Sequence, residues 1–456
     1  MKTVIKKQTF KRIALSGVYL LAGLVHSNAQ NLNNPNVAGP MGLQVNSLTG
    51  NLLATRTDLV LPARGLSLEA TFYYNSFNYQ EPGPYGNGWR LNYQINYTSD
   101  ANQNKIITWG DGRQDEYLFT GSGYAAPNGY FSTLTEAAPG VLLLTEKDGL
   151  KYFFENSSHK QVTRIMEPNG NGILLGYTDT LLTQIATSSG LTLTLSYSSG
   201  RLQTITDANA NPLRSWHYQY DTGGHLLKVT NPLNFEYRYQ YLINGPIKEL
   251  SDKNANVVNV IYHNNYTVSE LIGCNQRLSF FYEPTTLTTV VTNHLQNASN
   301  QVTKYHYKKN NNYTWLAAID GNCCGFKMNF EYDAAGNKVK ETDANGNATF
   351  YTYDNLGNVV AIRDALNQVT QYTYAPPFNY LSTITDAKGF TTTLTYDSRG
   401  NLTQIKEPGN RLFTATYAPN GDIITSTDPK GNVYQYTYDA YGNPATVTGP
   451  NGYAAA

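Results

Sequence analysis

Charge and cysteine are both scarce in this chain. Only 14% of its 456 residues are charged, and 33 Lys and Arg balance 33 Asp and Glu. A formal net charge of zero gives no electrostatic pull toward nucleic acid or anionic lipid. The three cysteines, Cys274, Cys323 and Cys324, cannot all pair within the chain. Either Cys274 bridges to one of the adjacent pair, or the thiols stay unpaired. The seven histidines are scattered, without His-x-x-x-His or a Cys/His ligand cluster, which argues against zinc. No Gly-x-Ser-x-Gly elbow, phosphate loop or cysteine-protease signature occurs. Beyond the N-terminus no segment is apolar enough to span a membrane, and none reads as a long helix.

Tyrosine, in contrast, is abundant at 37 residues. Thirteen of them recur at nearly constant spacing: Tyr177, Tyr197, Tyr220, Tyr241, Tyr262, Tyr282, Tyr307, Tyr332, Tyr353, Tyr374, Tyr396, Tyr417 and Tyr438, each 20 to 25 residues after the last. A fixed period of this length marks a repeat architecture, in which one small unit is stacked many times. Such a chain builds a scaffold, shell or binding surface rather than a compact catalytic domain.

The clearest units share a phrase. It runs Tyr332-Asp333-Ala-Ala-Gly336-Asn337, Tyr353-Asp354-Asn-Leu-Gly357-Asn358, Tyr396-Asp397-Ser-Arg-Gly400-Asn401 and Tyr438-Asp439-Ala-Tyr-Gly442-Asn443. Asp followed three residues later by Gly is turn chemistry: the carboxylate accepts nearby backbone N–H groups and Gly tolerates positive φ. Between these turns lies a second series, as in Asp343-Ala-Asn345-Gly346-Asn347, Asp386-Ala-Lys-Gly389 and Asp428-Pro429-Lys-Gly431-Asn432. Two turns per repeat leave room for two short strands, so each repeat is a β-hairpin. The intervening segments alternate accordingly, with Phe326, Met328, Phe330 and Tyr332 set against Lys327, Asn329 and Glu331. The expected fold is all-β: tandem hairpins forming a spiralling sheet or open shell, preceded by an N-terminal β region. A β-propeller is the rival, since two repeats make a four-stranded blade. The irregular spacing favours a continuous spiral.

The Tyr-Asp-x-x-Gly-Asn phrase resembles the YD repeat of Rhs (rearrangement hotspot) proteins, teneurins and the cocoon-forming subunits of insecticidal toxin complexes. The resemblance is strongest from Tyr332 to Asn443 and looser from Tyr177 to Tyr307. Tyr374 and Tyr417 are followed by Ala instead of Asp. It implies a long sheet that spirals into a hollow shell around a polypeptide, either C-terminal to the repeats or separate. Residues 30–160, with Asn75-Ser76 and Gly86-Asn87-Gly88-Trp89, resemble the region that precedes YD repeats in Rhs-like proteins, where it starts or plugs the shell. Trp109-Gly110-Asp111-Gly112-Arg113 and Lys147-Asp148-Gly149-Leu150 read as further hairpin turns. The repeat array takes residues 161–456. It stops just after a turn, as a C-terminally incomplete member would. The autoproteolytic aspartates of the Rhs family belong to a later core segment, so no catalytic residue is carried over.

Residues 1–29 read as a cleaved secretory signal. Lys2, Lys6, Lys7, Lys11 and Arg12 precede the apolar run Ile13 to Val25, and Ser27-Asn28-Ala29 supplies small residues for cleavage. Export to the exterior or cell surface follows.

Competing site chemistry is weak. Asp207-Ala-Asn209-Ala-Asn211 begins like a calcium loop but lacks its Gly and its downstream Glu. Asp111, Asp115 and Glu116 place carboxylates close together, with Arg113 between them, which does not suit glycoside hydrolysis. The aromatic rows Tyr372/Tyr374 and Tyr434/Tyr436/Tyr438 could stack on sugars, though cross-strand packing explains them more simply. Two function classes follow. One is a non-enzymatic, cofactor-free secreted shell. The other is a glycan-binding surface or adhesion module.

Overall fold

The computed structural model describes residues 35–155, 159–296, 298–309, 314–323, 325–452 and 454–455. The expected signal segment, residues 1–29, lies outside them. Among the described residues there is no α-helix; forty strands and four single 3₁₀ turns make up the regular structure.

Thirty-one of those strands form one antiparallel sheet. It starts at Thr133–Ala138 and ends at Ala454–Ala455, and every strand pairs with its neighbours in sequence. That order excludes separate propeller blades. Side chains alternate as a half-buried strand requires: in Thr192–Ser198, Leu193 and Leu195 are buried while Thr194 and Ser196 face water. Two smaller sheets precede it. Five strands run from Asn36–Ala38 to Trp89–Leu91, and four run from Asn96–Ser99 to Tyr124–Ala125.

The five-stranded sheet packs on the early repeats. Phe72 meets Tyr218 at 5.6 Å between ring centroids, and Trp89 meets Tyr239 edge-on at 5.1 Å. Between them lies Arg56, paired with Asp58 at 2.6 Å and donating to the Tyr239 hydroxyl at 2.9 Å. Its guanidinium sits over Phe72 and Trp89. Burying that charge is tolerable because the carboxylate, the phenol and the ring faces all compensate it. One hydrophobic core therefore runs from Leu43 through Val291.

The long sheet has two rims of turns, and they meet. The Lys147 ammonium donates to the Asn358 side-chain oxygen Oδ1, 211 residues on, at 3.2 Å. Asn171 donates from its side chain to the Asn420 carbonyl, 249 residues on, at 2.8 Å. Lys147 and Asn171 belong to one rim and Asn358 and Asn420 to the other, so a later turn of the ribbon rests on an earlier one. The sheet is a spiral, and one circuit takes 211 to 249 residues. The right-handed twist of strands supplies the curvature.

The loop between Leu52–Leu61 and Leu68–Asn75 joins this contact. Arg64 grips Asp422 with Nε at 3.0 Å and Nη2 at 2.9 Å, and its backbone N–H donates to the Tyr441 carbonyl at 3.1 Å. The N-terminal sheet thus touches both circuits.

Candidate functional site

The repeat turn is where sequence and geometry meet most closely. In each, one carboxylate oxygen of Asp accepts two backbone N–H groups and the other accepts the Asn side chain. For Asp333 the donors are Ala335 N at 3.0 Å, Asn337 N at 2.8 Å and Asn337 Nδ2 at 2.9 Å. Asp354 with Asn358, Asp397 with Asn401 and Asp439 with Asn443 repeat the arrangement. Gly336, Gly357, Gly400 and Gly442 all hold φ between 66° and 86°, a region that penalises any Cβ. These bonds to the ionised form hold the Asp397 carboxyl below its usual range, against the opposing effect of burial.

The motif tyrosine acts on the neighbouring repeat. Nine of the thirteen hydroxyls donate to a main-chain carbonyl 14 or 15 residues earlier. Tyr353 donates to Lys338 O at 2.8 Å, Tyr374 to Val359 O at 3.0 Å and Tyr396 to Leu381 O at 2.9 Å. Except for Val162, which accepts from Tyr177 in the loop before Arg164–Met166, each of these carbonyls belongs to the first or second residue after the previous turn. At twelve of the thirteen tyrosines the ladder also slips by one residue: Thr352 pairs with Ala361 but Tyr353 pairs with Val359, leaving Val360 extra. Such a bulge interrupts main-chain pairing, and the phenol supplies a donor beside the interruption. Tyr282 lies in a strand without the slip. Tyr307 instead meets the Ser47 hydroxyl at 2.6 Å. The bulge was not legible in the sequence. Its only trace is the constant Tyr-to-turn spacing, which alternation cannot distinguish from a regular strand.

The other candidate groups are occupied. Asp207 is held by Arg214 at 3.1 Å and by Asn209 at 2.9 Å, so its oxygens serve a turn instead of a calcium ion. Asp115 is buried, accepts from Trp109 Nε1 at 2.5 Å and pairs with Arg113 at 3.0 Å. Glu116 accepts from the Asn104 amide at 3.2 Å. His294 is tied to Ser279 at 2.9 Å, and His306 to Asp320 at 2.6 Å. Cys274 is exposed and its thiol is free. Among the described residues no three His, Cys, Asp or Glu side chains converge as metal ligands.

The two circuits differ in what covers their inner face. The first has the N-terminal sheets on it. The second retains a small cluster in which only Val359, Tyr372, Ile384, Leu394 and Ile405 are buried. Around them Tyr351, Ile362 and Phe413 stay partly open. Burial drives the phenols of Tyr396, Tyr417 and Tyr438 up to about 12.

Comparison with known proteins places these features. Residues 268–455 match the teneurin YD-shell family, and residues 42–117 match a family described as Domain of unknown function (DUF6531). No curated protein sequence matches the chain. Among solved structures, TcdB2-TccC3-Cdc42 is 13% identical with a TM-score of 0.38, over 91% of this chain and 27% of the other. TcdB2-TccC3 without its hypervariable C-terminal region is also 13% identical, with a TM-score of 0.39 over 95% and 27%. The Photorhabdus luminescens Tc holotoxin pore is 13% identical, with a TM-score of 0.31 over 86% and 27%. This chain therefore spans only 27% of the length of each. The YD-shell match falls on the later strands of the sheet that the Asp-x-x-Gly-Asn turns build, and residues 268–455 are accordingly a YD-shell segment.

Proposed function

We propose that this chain is a secreted, non-enzymatic shell whose inner face sequesters a polypeptide. The observation that carries the reading is the contrast between the two circuits. The first buries its apolar residues in one large core with the N-terminal sheets, whereas the second has only a small core, around which Tyr351, Ile362 and Phe413 stay partly exposed. Apolar surface left open on a curved sheet gains free energy when an apolar chain covers it, at roughly 25 cal/mol per Å². The YD-shell match supports the same reading. A scaffold role also suits turns whose carboxylates are all engaged by their own backbone.

The test is co-expression of the full chain with the polypeptide encoded next to it, followed by limited proteolysis. Protection of that polypeptide beside the chain, and its rapid digestion alone, supports sequestration. Equal digestion in both cases overturns it. Saturable binding to a glycan array without any protection would favour the adhesion module. Export is tested on secreted material, whose N-terminal sequence should begin at Gln30.

A further inference from the structure

A cleft of ≈350 Å³ lies where the five-stranded sheet, the Trp109–Arg113 turn and the first strands of the long sheet meet. The long sheet supplies a wall of Leu150, Tyr152, Ile165 and Ile173. The turn supplies Trp109, whose ring meets Tyr152 edge-on at 5.1 Å. From the strand Leu68–Asn75 come Glu69 and Tyr73, two positions of the same face. Asp111 lines the cleft from the turn.

Two carboxylates, Glu69 and Asp111, line this cleft against one cation, Arg113. Arg113 is already paired with Asp115 at 3.0 Å and stacked on Trp109 at 4.9 Å. Arg90 offsets part of the Asp111 charge and donates to the carbonyls of Trp109 at 3.1 Å and Gln94 at 2.7 Å. Glu69 and Asp111 form no ion pair among the described residues. Among the described residues the one hydrogen bond to either carboxylate is from the Arg113 backbone N–H to Asp111, at 3.0 Å. Glu69 and Asp111 line the same cleft as the partly exposed Tyr73 ring, and burial, with Asp111 and Glu69 adding to it, pushes the Tyr73 phenol up. The floor is fixed by Gly110, where a Cβ would collide with the Asn92 backbone.

We propose that this cleft binds an alkylammonium group, seated against Tyr73 and Trp109 and neutralised by Glu69 and Asp111. An ammonium is attracted to aromatic faces and to carboxylates at once, and its alkyl stem suits the apolar wall. A neutral sugar would stack on the rings but would bring no charge to set against Glu69. The group could belong to a lysine side chain or to a free amine.

The full chain is titrated calorimetrically with n-butylammonium, with 1-pentanol as the neutral probe of similar size and methyl glucoside as the sugar probe. Saturable binding of n-butylammonium, absent for 1-pentanol and weakened tenfold or more in a Glu69→Gln/Asp111→Asn variant, is the expected result. Tyr73→Leu keeps both carboxylates and should weaken binding several-fold, so the assignment stays testable if the double variant does not fold. Equal binding of 1-pentanol, preference for methyl glucoside, or unchanged affinity in the folded variants overturns it. Acetyl-Gly-Lys-Gly-amide and putrescine then separate the two sources. Tighter binding of the tripeptide assigns the cleft to polypeptide, tighter binding of putrescine to free amines, and either supports the ammonium site.

Discussion

The Tyr353 hydroxyl donates to the carbonyl of Lys338, 15 residues earlier, at 2.8 Å. Lys338 is the first residue after the turn that Asp333 and Asn337 close. One repeat's tyrosine therefore fastens the exit of the previous repeat's turn. This explains why Tyr, Asp, Gly and Asn travel together: three shape a turn, and the fourth ties the next strand to it.

Removing one such hydroxyl should cost about 1 kcal/mol, the net worth of an intramolecular hydrogen bond. Tyr353→Phe keeps the ring and loses only the donor. Tyr434→Phe, at a position outside the thirteen-residue ladder, should change stability much less. Urea denaturation of both variants measures the difference, and equal midpoints would mean that the ladder bonds add nothing.

Glycines on the two rims should not be equivalent. Gly357 has φ of 66°, and a Cβ there would collide with the ring of Phe131, which lies just before the first strand of the long sheet. Gly346 has φ of 84°, with nothing within 4 Å of its Cβ position. Both Ala variants carry the backbone strain, of order 1–3 kcal/mol, and Gly357→Ala should lose more. Adding Phe131→Ala should remove part of the excess at Gly357 and none at Gly346. Double-mutant cycles decide whether Phe131 and Gly357 press on each other there.

Arg64 and Asp422 should couple across 358 residues of sequence. Both are largely covered, with side-chain exposures of 16% and 13%. Leaving either charge without its partner should cost about 1–3 kcal/mol, and the double variant Arg64→Met/Asp422→Leu should recover part of it. In Arg64→Met, hydrogen exchange should speed up over residues 418–443 more than over 177–220. Uniform acceleration would mean that the loop does not hold the second circuit.

Alkali should open the sheet over a defined window. The phenols of Tyr396, Tyr417 and Tyr438 titrate near 12 in the folded chain and near 10 when unfolded. Because the folded values are raised, the associated stability is fully present below pH ~10 and is lost as pH rises toward ~12. Tyrosinate absorbance and loss of β circular dichroism should then rise together between those values. Titration of these phenols at pH ~10 in an intact sheet would show that they are not shielded.

Strands and turns were legible in the sequence because both are local. Alternation of Phe326, Met328 and Phe330 fixes which side chains share a face. An Asp-x-x-Gly-Asn run closes its own turn with its own atoms, as Asp333 and Asn337 do. Repetition at a near-constant period then makes consecutive strands pair in order, and the sheet follows. The bulge beside twelve of the thirteen tyrosines was not legible, since an extra Val360 changes the partner of Tyr353 without altering any local pattern.

What the tertiary structure alone decided is the closure of the spiral. No motif announces that Lys147 will meet Asn358, or that Arg64 will meet Asp422. Those encounters depend on twist summed over some twenty strands, and a small change per strand would displace the later circuit by whole repeats. The same holds for the cleft between Glu69, Asp111 and Tyr152, whose walls come from three sheets. Local chemistry specified the ribbon; the packing of the N-terminal sheets against it, through Arg56 and Trp89, set how the ribbon is wound.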